Sequence, residues 1–129
     1  MDVTVTLAAD PRSAGVARRM LRDHLALART AAAADDLADD LADDAAVVLS
    51  ELVGNAVRHA RGPIRVTLRS IGSGLRLEVR DAAPDSPPQP RPADGEATGG
   101  RGMHLVHGLS TRWGWDTDAA GKTVWAELG

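Results

Sequence analysis

The 129-residue chain contains no cysteine, no tyrosine and no phenylalanine. Lacking thiols, it has no disulfides, no thiolate metal ligands and no cysteine nucleophile, a usage that agrees with a reducing cytoplasm. Its net charge is -3, and three tryptophans are its whole complement of large aromatic side chains. The basic, aromatic-studded surface of a nucleic-acid reader is therefore missing, which argues against DNA or RNA as a direct partner. Nowhere do about 18 apolar residues follow one another, as a membrane span requires. The opening MDVTVTLAAD carries neither a basic segment nor an apolar run of signal-peptide length. The expectation is a soluble, cytoplasmic protein without a membrane partner. The length suits one domain, residues 1–129, able to bury a core without staples.

What is present centres on ELVGNAVRHA, residues 51–60. Glu51, Asn55 and His59 are spaced by four, which stacks them along one face of a helix. Val47, Val48, Leu52, Val53 and Ala56 supply an apolar stripe beside them, so the polar stripe borders buried surface. Such a stripe is either a ligand site or a solvated rim, and the segment alone leaves both open. In LRLEVRDAAP, residues 75–84, Leu75, Leu77 and Val79 alternate as in a half-buried strand, and Asp81 continues their parity. A carboxylate aimed at the apolar face needs a donor, such as an exocyclic amine. The alternative is an aspartate that ends a strand and starts a turn. In TGGRGMHLVHGL, residues 98–109, Gly99, Gly100 and Gly102 precede an apolar run at helical spacing. Glycines before a helix let backbone N–H groups converge on phosphate. Alone the signal is weak, and it fits neither the P-loop nor the dinucleotide fingerprint.

Together, in this order, the three segments resemble the histidine kinase-like ATPase domain, the Bergerat fold of sensor kinases, type II topoisomerases and anti-sigma serine kinases. Glu51 to His59 look like its N box, Asp81 like the adenine-reading aspartate of the first glycine box, and Gly100 to Met103 like the second. In the C-terminal GKTVWAEL, Thr123 looks like the threonine that shares the aspartate's water network, with Trp125 at the next inward position. ELVGNAVRHA, GRGMHLV and GKTVWAEL together look most like the actinobacterial anti-sigma regulatory factors related to serine kinases. One departure is plain. The first box usually reads Asp-x-Gly-x-Gly, whereas this chain has Asp81-Ala82-Ala83-Pro84-Asp85. Small Ala83 still allows close approach of a base, but Pro84 stiffens the turn and removes a donor.

The resemblance implies ATP and Mg²⁺ as cofactors. Asn55 would supply an oxygen to the metal, Arg58 would meet a phosphate, and the backbone at Gly100 and Gly102, beside Met103, would receive others. Arg101 is a further phosphate ligand or a solvated loop arginine. Glu51 would be the general base towards a partner's serine hydroxyl. The implied partners are a sigma factor and an anti-anti-sigma factor, with room for a homodimer. Two other readings remain: a non-catalytic binding module of the same fold, favoured by the lost glycines, and a detached sensor-kinase catalytic domain. For the last, His24 in RDHLAL lacks the signature of a phosphoacceptor domain.

The remaining pattern completes the expected fold. VTVTL, residues 3–7, reads as a strand, and Asp10 and Pro11 open a helix running to about Thr30 whose Arg18, Arg19 and Arg22 form a basic face. The repeat ADDLADDLADDA, residues 34–45, reads as a solvated acidic face leading into the second helix, not as a metal site. That helix should stop at Gly62-Pro63, and IRVTLRSI and LRLEVRD should form a hairpin about Gly72-Ser73-Gly74. Residues 82–100, rich in proline and without periodicity, read as a lid loop or a disordered segment, with the lid as the expectation. A third helix from near Arg101 and strands at about 112–117 and 122–128 follow. The fold class is α/β, a two-layer sandwich: a mixed, mostly antiparallel sheet covered on one face by about three helices.

Overall fold

The computed structural model describes residues 2–32, 39–59, 62–72, 74–82 and 98–129. Strand β1 (Asp2–Leu7) leads into helix α1 (Ser13–Ala32). Asp10 sets the start of that helix: its Oδ1 accepts from Arg12 N at 2.8 Å and its carbonyl from Ser13 N at 2.9 Å. Ala17, Leu21 and Leu25, four apart, form the buried stripe of α1. Helix α2 (Asp39–His59) buries Ala45, Val48, Leu49, Leu52, Val53 and Ala56 and has Arg58 and His59 in its last turn, where the arginine cation suits the negative end of the helix dipole. Of the acidic repeat, residues 34–38 lie outside the described residues, and α2 takes up the chain at Asp39.

After α2 the chain reverses through Gly62, whose φ of 93° is costly for residues with a Cβ. Strands β2 (Ile64–Ile71) and β3 (Gly74–Asp81) then pair as the expected hairpin. Helix α3 (Thr98–Leu109) precedes a second hairpin, β4 (Arg112–Asp118) and β5 (Gly121–Leu128). In its turn Asp118 Oδ1 accepts from the backbone N–H groups of Ala120 and Gly121. Strand order is β1-β2-β3-β5-β4, and all four pairings are antiparallel. The parallel component that a mixed sheet would contain is thus absent among the described residues.

Register aligns Val66 with Val79 and Val124, and Leu68 with Leu77 and Ala126, so one sheet face is apolar across three strands. These residues are buried with α1, α2, Met103 and Val106 in one core. Each such aliphatic side chain contributes about 1.5–3 kcal/mol by leaving water. The opposite face is polar. There Arg76 donates to Glu78 and Glu127 at 2.7 Å each and lies 4.3 Å from the centre of the Trp125 ring. Hydrogen bonds from Arg112 and Arg76 hold the Glu127 carboxyl below the usual carboxylate range.

Candidate functional site

The polar stripe on α2 runs from core to surface. Asn55 is 6 % exposed, Glu51 is half-buried, and Arg58 and His59 are exposed. The stripe forms because the four-residue spacing advances each side chain by little more than one turn while the apolar face keeps the helix seated on the sheet. Against this face packs α3. A Cβ on Gly102 would collide with Glu51 Oε2, so the missing side chain at Gly102 is what admits the carboxylate between the two helices. The guanidinium of Arg58 folds back along α2, its Nη1 3.6 Å from where a Cβ on Gly54 would stand.

Helix α3 starts three residues earlier than its glycines suggest, at Thr98, so Gly99 and Gly100 lie in the first turn and not ahead of it. The N–H groups of a first helical turn have no acceptor within their own helix and lie at the positive end of its dipole. Gly100 is among these donors, whereas Gly102 belongs to the second turn, where its N–H is part of the helical ladder. Gly102 therefore contributes space, not a donor. Met103, 1 % exposed, is a core residue packed with Val106. The backbone of Arg101 is helical, and its side chain lies outside the described residues, as do Ala83 and the expected lid up to residue 97. The last three residues given to that loop, 98–100, are helical.

Asp81 ends β3 with the parity of Leu75, Leu77 and Val79 and is 3 % exposed, on the helix-facing side of the sheet. Its register partner is Lys122, not Thr123. Lys122 is fully buried, and its Nζ lies 3.6 Å from Asp81 Oδ2. Thr123 points to the opposite, polar face, where its Oγ1 accepts from Arg80 Nη1 at 3.2 Å. Trp125 shares that outer face beneath Arg76. The expectation of Thr123 beside Asp81 and Trp125 inward is thus off by one residue. In a strand, a shift by one moves every side chain to the other face. The parity of Val124, Ala126 and Leu128 is the sequence signal that places Lys122 inward. Gly121 locks this register, because a Cβ there would run into the Asp81 carbonyl oxygen.

A family model described as "Histidine kinase-like ATPase domain" matches residues 7–128. The chain belongs to this family. Membership in a family of ATPase domains implies nucleotide binding. Among solved structures, this ATPase domain is similar to the crystal structure of the RsbU and RsbW domains of Rv1364c from Mycobacterium tuberculosis. The identity is 21 %, the TM-score 0.71, and the match covers 99 % of this chain and 32 % of that one, a likeness of fold. The chain spans about a third of the length of that protein chain. The histidine kinase domain of a blue-light activated histidine kinase from Erythrobacter litoralis EL346 is 27 % identical over 69 % of this chain and 44 % of the other, with a TM-score of 0.46. No curated protein matches. Among the described residues, no helix of the ATPase domain is long and apolar enough to cross a membrane.

The donor set suits a metal carried in by its ligand. Among the described residues no three histidine or acidic side chains cluster into a cage. Mg²⁺ keeps several waters and needs few protein oxygens when phosphates complete its shell. The buried amide of Asn55, one turn from Glu51, carries a side-chain oxygen that would suit that role.

Proposed function

We propose that the chain is an ATP-binding anti-sigma regulatory factor, working in the cytoplasm, with serine kinase activity towards an anti-anti-sigma partner. The observation that carries this reading is the seating of Glu51 on Gly102, which holds a carboxylate at the α2–α3 seam beside the buried Asn55. The regulatory branch rests on ELVGNAVRHA, GRGMHLV and GKTVWAEL.

The roles follow from chemistry. Bound Mg²⁺ would supply positive charge that offsets the charge on the transferring phosphoryl group. Asn55 would hold that ion through its side-chain oxygen. The first-turn N–H groups of α3, Gly100 among them, would face the phosphates, and Arg58 would add a mobile cation at the rim. Asp81 would accept from the 6-amino group of adenine. Glu51 would take the proton of the partner's serine hydroxyl as its oxygen bonds to the terminal phosphorus and the bond to the leaving ADP oxygen breaks.

Incubation with labelled ATP and anti-anti-sigma proteins, followed by analysis for phosphoserine, tests the reading. Serine phosphate is expected, and Glu51→Gln should lower its formation by a factor of about 10² to 10⁴ while leaving ATP affinity nearly unchanged. Nucleotide binding without transfer to any partner would favour a second reading, a binding module of the same fold. One observation favours that alternative: the box Asp81-Ala82-Ala83-Pro84-Asp85 has neither of its usual glycines.

A further inference from the structure

Lys122 is a buried ammonium in the layer between sheet and helices, next to the carboxylate assigned to the base. Two features hold it there. The β3–β5 register sets it opposite Asp81, and Gly121 permits no side chain that would push β5 off the end of β3. Strand alternation then sends Lys122 inward with Val124 and Ala126.

We propose that Lys122 is a second base-reading residue, donating to N1 of the adenine whose 6-amino group donates to Asp81; this rests on the nucleotide-binding reading above. A hydroxyl or a water can turn to donate or accept, but an ammonium has three donors and no acceptor. An acceptor on a ligand edge would complement such a group. Adenine has a donor and an acceptor on neighbouring atoms, the 6-amino group and N1, matching a carboxylate beside an ammonium. Oδ2 and Nζ lie 3.6 Å apart, a spacing that suits two neighbouring atoms of one ring edge. Guanine would bring its 6-oxo acceptor against the carboxylate, where two acceptors meet.

The probe is 1-deaza-ATP, in which N1 is replaced by C–H. Its affinity is compared with that of ATP by calorimetry, with Mg²⁺ present, on the full chain and on Lys122→Thr and Lys122→Met variants shown by circular dichroism to be folded. The parent should bind the analogue about 10- to 100-fold more weakly, the usual effect of removing the partner of a charged buried donor. The variants should bind the two nucleotides within about threefold of each other, since the discriminating donor is gone. A parent that binds both equally, which needs no variant to establish, or variants that keep the parent's discrimination, would overturn the role of Lys122 and leave the nucleotide site standing. A parent that binds neither would overturn the nucleotide reading and this inference with it.

Discussion

Lys122 and Asp81 face each other across the β3–β5 pairing as an ion pair, Nζ 3.6 Å from Oδ2, with side chains 0 % and 1 % exposed. Breaking such a pair from one side leaves a charge buried without compensation and costs about 3–5 kcal/mol, whereas replacing both partners by apolar groups is often neutral. Asp81→Asn should therefore destabilise the fold as well as weaken ATP binding. The double change Asp81→Leu with Lys122→Met should recover most of the lost stability. Urea denaturation of the parent, both single variants and the double variant measures this. Equal stability of Asp81→Asn and parent would show that the pair does not compensate two buried charges.

Gly102→Ala should separate stability from chemistry. Alanine favours a helix over glycine by about 1 kcal/mol. The new methyl would collide with the end of the Glu51 side chain, which can swing away at little cost. Thermal stability should stay level or rise, while displacement of the carboxylate should lower phosphotransfer about 10²-fold, as misplacements near 1 Å do. Melting and transfer assays on the same preparation decide. Unchanged transfer would mean that the seat on Gly102 does not position Glu51.

His24 supplies a pH dependence. It is 3 % exposed on α1; its Nε2 lies 3.3 Å from Ser70 Oγ, and its Nδ1 has no hydrogen-bond partner among the described residues. Burial lowers its pKa from the ordinary 6.5. The unfolded chain then binds a proton more readily than the folded one, so the contribution is complete above 6.5 and is lost as pH falls towards the depressed folded value. Stability should decline below that point with a slope of at most about 1.4 kcal/mol per pH unit from this group. His24→Gln should flatten that limb of a stability–pH curve. A parent equally stable across this range would remove His24 from the account.

Much of this was legible in the chain because periodicity is local. The four-residue spacing of Glu51, Asn55 and His59 and the alternation of Leu75, Leu77, Val79 and Asp81 each report a face without knowledge of neighbours. Less legible was β5, where the parity of Val124, Ala126 and Leu128 sends Lys122 inward against the usual exposure of lysine. Lysine is rarely interior without a partner, and that partner is 41 residues upstream, joined only through sheet register. The start of α3 was also hidden. Glycine disfavours helix, yet packing of α3 on α2 outweighs that preference and carries the helix back through Gly99 and Gly100. The order β3-β5-β4 depends on non-local pairing that no local pattern encodes.

The proposed Mg-nucleotide site at the α2–α3 seam should lose its metal dependence in Asn55→Ala. The change removes one side-chain oxygen from a buried helix position without opening a large apolar cavity, so the domain should remain folded. Calorimetric titration of ATP into parent and variant, each with and without Mg²⁺, should show tight binding by the parent only when the metal is present and loss of that metal-dependent gain in the variant. Equal, Mg²⁺-dependent ATP affinity in the two proteins would contradict the assignment of Asn55 and, with it, of the site.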